Sequence, residues 1–342
     1  MSLCRSVAAM AVTLATVSSA SAAWASPWVM KPGEFYSELS GSFFSSSTYL
    51  QNGDGRRIQL GGKLEQRTVR SHNELGWKKS ASVWIDVPFV SRTYANDAGG
   101  SVTSTGLGDL DFGIRYGLHR GNMPLALELG WTAPLGGNRR LFPGTGGSGG
   151  LDGTSYGALA DGQLRDSSAF FDTGLQSLSA ALELGGTAGK RSYWTLGGGY
   201  RTHFLSIGSR RRPVGVRPNT IQNNNRWLDA VTGGATLGFW FSSSLLVTGT
   251  FRGEFPIYQS ERYDRIVARI PGPDGPDLEV KYVLAGPRFT YRVDDRMDVF
   301  AGSWHTASGR NVLHSDQFYC GIAWKQTGLD RLAGAFGGTQ AH

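Results

Sequence analysis

Cysteine is nearly absent from this chain of 342 residues, which carries only Cys4 and Cys320. Cys4 lies within a predicted export signal, so the exported protein would keep a single cysteine. One cysteine cannot form an internal disulfide, and this excludes a small secreted domain held together by disulfides. The sequence also lacks any cluster of cysteine and histidine at metal-ligand spacing, so we expect neither a metal site nor a cofactor.

The chain also lacks a long apolar run. No segment reaches the ~18 consecutive apolar residues that a transmembrane helix requires. Glycine accounts for 49 residues and aromatic residues for 11% of the chain. Glycine and aromatic residues with moderate hydrophobicity suit strands that are apolar on one face only. A formal net charge of +7 is mild for this length and does not indicate nucleic-acid binding.

The first residues are typical of a secretory signal. Arg5 supplies a positive charge, residues 7–17 form a short apolar core, and small residues follow. Ala20-Ser21-Ala22 and Ala23-Trp24-Ala25 each fit the small-x-small pattern of a cleavage site. The sequence therefore predicts a signal peptide over residues 1–22 or 1–25.

About twelve stretches between residues 34 and 326 alternate apolar and polar residues with the period of two that a two-faced sheet imposes. In the clearest stretch, apolar residues at 110, 112, 114, 116 and 118 alternate with Asp109, Asp111 and Arg115. Pro88 and Pro287 interrupt two other stretches, and near Pro287 the alternation slips as a bulge would cause. Because proline removes a hydrogen-bond donor from the ladder, each proline predicts a kink or a weak seam.

The connections between the stretches alternate in length. The tight connections are Lys78–Ser80, His119–Asn122, Gly186–Arg191, Ser242–Ser244 and Val293–Arg296. The longer ones that interleave with them are Ser45–Gln59, Asn96–Thr105, Pro134–Ser168, Gly208–Asn225, Ile257–Pro276 and Ala307–Val312. A barrel in an outer membrane has tight periplasmic turns and long external loops, whereas a soluble sandwich has no reason to sort its turns.

The sequence therefore predicts an all-β fold, a transmembrane antiparallel up-and-down β-barrel of about 12 strands over residues 34–326. An even strand number places both chain ends in the periplasm, with residues 327–342 as a C-terminal periplasmic tail. The expected location is the outer membrane of a Gram-negative cell.

The polar face of such a barrel lines its interior, and the apolar face meets lipid. The lumen-lining candidates are Glu38, Glu74, Asp86, Asp109, Asp111, Arg115, Glu128, Arg201, Arg252 and Glu254. They fit an open or gated polar pathway that selects solutes by size and charge. They also fit a paired, hydrogen-bonded interior that fills a narrow barrel. Aromatic residues near strand ends on the apolar face are the candidates for a lipid-interface girdle: Trp77, Trp131, Trp194, Trp240 and Trp324.

Two long connections have unusual compositions. Pro134–Ser168 is rich in glycine but lacks the Lys-Ser/Thr and the helix of a phosphate-binding loop, so a mobile external loop is expected. A basic connection fits contact with lipopolysaccharide phosphates, and it fits a solvated run of charge equally well. No stacking platform accompanies its arginines, so nucleic acid is not an expected partner. These arginines are Arg210, Arg211, Arg212, Arg217 and Arg226.

Short glycine-rich segments carry a family resemblance. Residues 104–116 read Ser-Thr-Gly-Leu-Gly-Asp-Leu-Asp-Phe-Gly-Ile-Arg-Tyr, residues 131–136 read Trp-Thr-Ala-Pro-Leu-Gly, and residues 87–90 read Val-Pro-Phe-Val. They resemble the GLGD-led strand, the Pro-Thr-Gly strand end and the Leu-Pro-Tyr-Val strand of the outer-membrane family named for the meta-pathway of phenol degradation. The likeness spreads over roughly residues 35–325. It implies a barrel that moves aromatic or other hydrophobic compounds, and it offers no catalytic residues to transfer.

We therefore expect a passive outer-membrane channel or transporter for small compounds, and the resemblance extends this to aromatic or hydrophobic ones. The alternative is a narrow, plugged barrel with a structural or envelope-assembly role. The expected partners are outer-membrane lipid, lipopolysaccharide, the solute and the barrel-assembly machinery. An enzyme is not expected, because His203 and Ser206, like His305 and Ser308, are three residues apart on strands and so point to opposite faces.

Overall fold

The computed structural model describes residues 27–50, 57–97, 100–133, 175–205, 226–259, 281–310, 312–314 and 316–326. The predicted signal peptide and C-terminal tail lie outside these residues. Within them, no helix is long and apolar enough to cross a membrane. The strand segments are β1 Phe35–Leu50, β2 Arg57–Lys78, β3 Ala81–Asn96, β4 Ser101–Leu107, β5 Leu110–His119, β6 Leu125–Ala133, β7 Leu175–Ala188, β8 Ser192–Leu205, β9 Arg226–Trp240, β10 Leu245–Gln259, β11 Lys281–Arg292, β12 Met297–Arg310, β13 Val312–Leu313 and β14 Asp316–Gln326.

These segments form one antiparallel sheet that closes on itself. β1 pairs with β2 on one side, where Phe35 lies opposite Leu75, and with β14 on the other, where Phe35 lies opposite Gln326. β4 and β5 pair in succession along β3, and β13 and β14 pair in succession along β1. The 14 segments therefore make 12 barrel strands, and the predicted fold class is confirmed.

Short connections join neighbouring strands at the end of the barrel where β1 begins and β14 ends. They lie at residues 79–80, 120–124, 189–191, 241–244 and 293–296. Backbone hydrogen bonds close two of them, from Phe241 N to Leu245 O at 2.9 Å and from Val293 N to Met297 O at 2.9 Å. We call this end the tight-turn end and the opposite one the long-loop end. The Gly-rich and Arg-rich connections at the long-loop end fall outside the described residues.

Two of the expected long connections are mostly strand. β3 runs to Asn96 and β4 starts at Ser101, so little of the expected connection Asn96–Thr105 remains. The Ser- and Thr-rich composition of β4 gives no apolar alternation, and this is why the sequence did not indicate a strand there. β12 likewise extends to Arg310, which pairs with Lys281 across the sheet, so the expected connection Ala307–Val312 is also largely paired.

Both strand prolines lie where the ladder is interrupted. Pro88 sits at the junction between β4 and β5, where its carbonyl accepts a hydrogen bond from Gly108 N at 2.8 Å. Between β11 and β12, pairing stops after Ala285 and resumes at Arg288 in unchanged register. The expected bulge at Pro287 is therefore wrong: the missing proline N–H opens a gap in the ladder without shifting the strands.

The barrel wall turns its apolar face outward. Leu237, Phe251 and Phe318 are 66%, 57% and 61% exposed, whereas Arg115, Glu183 and Glu254 inside are 1%, 2% and 2% exposed. A soluble barrel has the reverse arrangement, since water would then surround its charged side chains. The alternation read from the sequence thus places charged residues such as Arg115, Glu183 and Glu254 in the interior, where the candidate site lies.

Candidate functional site

The largest interior ion-pair cluster is built around Arg115 on β5. Its guanidinium lies 2.8 Å from Glu74 on β2, 2.6 Å from Glu128 on β6 and 3.7 Å from Glu183 on β7. Ser82 on the intervening β3 donates a hydrogen bond to Glu74 Oε1 at 2.5 Å. One arginine therefore ties together carboxylates from both sides of its own strand, and we call these four charged residues the Arg115 cluster.

A second polar group lies on the same wall. His72 Nδ1 is 3.1 Å from Asp86 Oδ1, and Arg70 Nε is 4.0 Å from the same oxygen. Asp111 lies directly opposite Asp86 across the β3–β5 ladder and accepts a hydrogen bond from Thr132 Oγ1 at 2.6 Å. The two facing carboxylates are thus each held by a separate donor, and Arg70 and His72 balance part of their charge.

The wall that runs from β8 through β11 to β1 carries two further ion pairs, and Glu38 of β1 lies opposite His72 of β2 in the ladder. Arg288 Nη2 on β11 lies 3.1 Å from Glu38 Oε2 on β1, and Tyr36 OH donates to the same oxygen at 2.8 Å. The Arg288 guanidinium also sits 3.7 Å from the centroid of the Phe300 ring. Elsewhere on this wall, Arg201 Nη1 lies 3.2 Å from Glu254 Oε2. Cation–π contact and ion pairing together hold Arg288 rigidly against the wall.

Arg252 differs from the other interior arginines. Its Nε and Nη2 atoms are buried and have no hydrogen-bond partner among the described residues. Its guanidinium lies 4.7 Å from the centroid of the Trp304 ring, so the contact that holds it is a cation–π contact. A cavity of about 90 Å³ adjoins it and is bounded by Glu183, Arg201, Trp304 and glycine backbone of β8 and β9.

Charged side chains of these clusters are buried in the interior. Glu38, Arg115 and Glu254 are all almost completely withdrawn from water. Each of them pairs with an opposite charge: Glu38 with Arg288, Arg115 with three glutamates and Glu254 with Arg201. These pairs fit the hydrogen-bonded interior that the sequence allows as one of its two arrangements.

A larger cavity of about 540 Å³ lies between the clusters and the tight-turn end. Ion-paired groups of the clusters, His72, Glu74 and Arg115, bound it on the interior side. Aromatic and apolar side chains contribute much of the rest of its boundary: Trp28, Met30, Tyr36, Tyr193, Trp240 and Leu246. We call this cavity the vestibule. It is the part of the interior that has room for a small organic molecule.

The structure places most of the predicted lumen-lining residues on the inner face. These are Glu38, Glu74, Asp86, Asp111, Arg115, Glu128, Arg201, Arg252 and Glu254, while Asp109 is buried at the junction of β4 and β5. Their role in selecting solutes stays a prediction. The candidate set omitted Glu183, because the phase of its strand was unassigned even though Leu182 and Leu184 flank it. It also omitted Arg288, because the supposed bulge at Pro287 obscured the alternation.

The tryptophans divide between the two faces. Trp77 and Trp131 are exposed on the outer face, and Trp194 and Trp324 share the outward phase of Leu196 and Phe318. Trp240 was assigned wrongly: it lines the vestibule, and the Arg292 guanidinium lies 4.6 Å from its ring centroid. Phe239 and Phe241 flank it and face outward, where their rings meet edge to face at 4.9 Å. Three consecutive aromatic residues give no alternation, so the sequence could not assign the phase.

Nothing in the described residues assembles a hydrolytic or metal centre. His305 Nδ1 lies 2.5 Å from Asp316 Oδ1, and no serine hydroxyl of the described residues is hydrogen-bonded to His305. A register shift between β11 and β12 breaks the alternation here, so the inference that Ser308 points away from His305 does not follow. Within the same residues, no group of three or more His, Cys, Asp and Glu side chains could hold a metal ion. The side chain of His203 lies outside them.

An up-and-down barrel with charged residues inside and an apolar outer face has the architecture of a transmembrane β-barrel. The crystal structure of the COG4313 outer membrane channel from Pseudomonas putida F1 is similar, with a TM-score of 0.59 and 10% identity over 90% of this chain and 100% of that one. The NanC porin gives a TM-score of 0.43 at 8% identity, covering 84% of this chain and 100% of that one. The translocator domain of the autotransporter NalP from Neisseria meningitidis gives 0.45 at 10% identity, covering 86% and 89%.

The first of these similarities shows the fold alone, since its sequence identity is low. No protein-family profile matches the sequence, and no curated protein matches it significantly. The fold is therefore that of an outer-membrane channel, and any narrower assignment depends on the residues of this chain.

Proposed function

We propose that this protein lies in the outer membrane of a Gram-negative bacterium and lets small compounds cross passively. The observation that carries the proposal is the inside-out wall: Leu237 and Phe318 point outward while the Arg115 cluster points inward. Exposed apolar side chains of this kind would aggregate in water but are stable against lipid. The fold similarity to an outer-membrane channel supports the same proposal.

We infer that the transported compounds are small, with aromatic or hydrophobic ones favoured. The family resemblance of residues 104–116 and 87–90 supports this class. The vestibule supports it as well, because Trp240, Tyr193 and Leu246 offer apolar contact surface beside Glu74, Arg115 and Arg288, which are ion-paired. Paired charges attract a free ion less than unpaired ones, so an uncharged solute has the advantage there.

Single-channel recording in planar bilayers tests the proposal. Purified protein that migrates differently on a gel before and after boiling would be added to the bilayer, and discrete current steps are the expected result. The height of the steps measures the open cross-section that the interior leaves beside the Arg115 and Arg288 ion pairs. Protein that is freely water-soluble and shows no heat-dependent migration would contradict the membrane location itself.

The second candidate function is a plugged barrel with a structural or envelope-assembly role. The buried, ion-paired interior favours it, since Glu38, Arg115 and Glu254 are withdrawn from water and each pairs with an opposite charge. Heat-modifiable protein that inserts into bilayers but stays electrically silent, and that does not accelerate uptake of a hydrophobic solute into liposomes, would favour this function over a channel.

Contact with lipid and with the barrel-assembly machinery is part of the proposal, and so is contact of the basic connection with lipopolysaccharide. The arginines of that connection carry the charge that phosphate groups would pair with. Replacing Arg210, Arg211 and Arg212 with glutamine should weaken retention on immobilised lipopolysaccharide at low salt. Unchanged retention would contradict this part of the proposal and leave the channel function unaffected.

A further inference from the structure

The segment Pro27–Lys31, which precedes the first barrel strand, lies inside the tight-turn mouth of the barrel. We call it the N-terminal strap. Pro27 is fully buried, and the Trp28 ring meets Tyr193 of β8 edge to face, with 5.9 Å between centroids and 83° between planes. Trp28 and Met30 also line the vestibule. The strap is therefore a packed element of the interior.

Glycines on the inner face make room for the strap. A Cβ atom at Gly185 on β7 would lie 2.5 Å from Pro27 Cγ, and one at Gly117 on β5 would lie 3.2 Å from Val29 Cγ2. A Cβ atom at Gly76 on β2 would collide with the carbonyl group of Lys31. Any larger residue at Gly76 or Gly185 would displace the strap, so the sequence leaves a groove for it at the rim.

The strap lies against the inner wall at the mouth and takes up part of the opening. The strap contacts β2, β5, β7 and β8. Together with β3 and β6, which lie between them, these strands make up half of the barrel circumference. A stretch of chain from Pro27 to Lys31 spans only about 13 Å when extended. Val29, midway along the strap, lies beside Gly117 of β5, so the segment follows the inner wall and narrows the mouth from that side.

A hydrogen-bonded turn holds one end of the strap. Gly33 N donates to Gly76 O at 3.0 Å, and Gly76 N donates to Glu34 O at 2.9 Å. Glu34 N donates to Lys31 O at 2.9 Å, and Gly33 has a φ of 74°. A side chain at Gly33 would be strained in this left-handed conformation, so glycine lets the chain turn from β1 into the mouth.

We infer that the N-terminal strap sets the size limit for solutes at the tight-turn mouth, with Trp28 as the residue that narrows the opening. The inference rests on the proposed passage of small compounds through this barrel. Trp28 is large, borders the vestibule, is 41% exposed and contacts the Tyr193 ring edge to face. Removing its ring would widen the opening without removing the hydrogen bonds at Gly33 and Gly76.

The test compares single-channel conductance, and its exclusion of polyethylene glycols of graded size, between the wild-type chain and three variants. Deletion of residues 27–31 should raise conductance about twofold and admit larger polymers, because current follows the open cross-section. Trp28→Ala should shift both quantities in the same direction by less, and it keeps the test available if the deletion fails to fold. Trp77→Ala is the matched control, since Trp77 lies at the same end on the outer face, and its values should equal wild type.

Each outcome is decisive. The role of the strap would be overturned if both the deletion and Trp28→Ala keep the wild-type conductance and the wild-type polymer cut-off. The proposed channel function would still stand in that case. If the wild-type protein gives no current and the deletion variant gives current steps, the result would support the strap as the element that closes the mouth. Silence of every variant, in protein shown to be folded and inserted, would overturn the strap inference and the proposed channel function together.

Discussion

Arg115 and Glu128 lie directly opposite each other on β5 and β6, and their side chains meet at 2.6 Å between Nη2 and Oε2. The same guanidinium also forms ion pairs with Glu74 and Glu183. Its loss would therefore leave three carboxylates close together in a buried site. Substitutions of this arginine therefore test whether the interior clusters hold the barrel together.

Arg115→Met should lower the free energy of unfolding by about 3–5 kcal/mol, the range seen when one partner of a buried ion pair is removed. Urea unfolding in lipid vesicles, followed by tryptophan fluorescence, measures this. Lys63→Met is the control, because Lys63 pairs with Glu65 at 2.7 Å in an exposed position and should contribute less than about 1 kcal/mol. Equal effects of the two substitutions would contradict a stabilising role for the Arg115 cluster.

Arg252 and Arg288 should respond differently to the same change. Arg288→Met strips Glu38 of its ion-pair partner and should cost about 3–5 kcal/mol of stability. Arg252→Met removes two buried donors that have no partner in the described residues, along with one cation–π contact, so stability should change by less than about 1 kcal/mol. The same unfolding assay compares the free energies of unfolding of the two variants. A large loss of stability in Arg252→Met would contradict the prediction and reveal an interaction of Arg252 beyond these contacts.

Charged substitutions on the outer face distinguish a barrel surrounded by lipid from one surrounded by water. Leu129 lies midway along β6 and is exposed, so Leu129→Arg would place a charge in the hydrocarbon region and should cost about 2–4 kcal/mol. Thr103→Arg, at an exposed position of β4 towards the long-loop end, should be nearly neutral. Folding yield into vesicles, scored by heat-dependent gel migration, separates them. A water-soluble barrel would tolerate both substitutions equally.

We predict that hydrophobic solutes leave sideways through the wall where the strand ladders are interrupted at Pro88 and Pro287. Replacing both prolines with valine restores ladder donors and should slow uptake of a hydrophobic solute into liposomes, since continuous strands close the seam. Ion conductance along the barrel axis should be unchanged, and it serves as the internal control. Uptake at the wild-type rate in the double variant would count against the seam.

Sequence alternation predicts the faces of the barrel well where strands are amphipathic. In β5, Asp111 and Arg115 fall inside and Ile114 and Tyr116 outside, as the period of two requires. β4 was missed because Ser and Thr dominate it, and such a strand has no apolar face to recognise. The alternation of short and long connections predicts that successive strands are neighbours in a barrel, which the apolar alternation within strands does not show.

The candidate site was predicted only in part, for physical reasons that differ between residues. Charged residues on well-patterned strands, such as Glu74 and Arg115, were identified, but their ion pairing depends on strand order and register. Trp240 was misassigned because Phe239 and Phe241 beside it hide the phase. The strap left no readable signal, because the glycines that accommodate it resemble any other glycine in a strand.

β1 pairs with both its sequence neighbour and the last strand of the chain. The contact of Ser46 with His314 bridges 268 positions of sequence. The flank of β1 that pairs with β14 cannot be complete until the C-terminal residues have been synthesised and exported, so the wall is sealed late in assembly. A nascent or C-terminally shortened chain would present two unsatisfied edges to its surroundings, and it would depend on chaperones to avoid sticking to other strands.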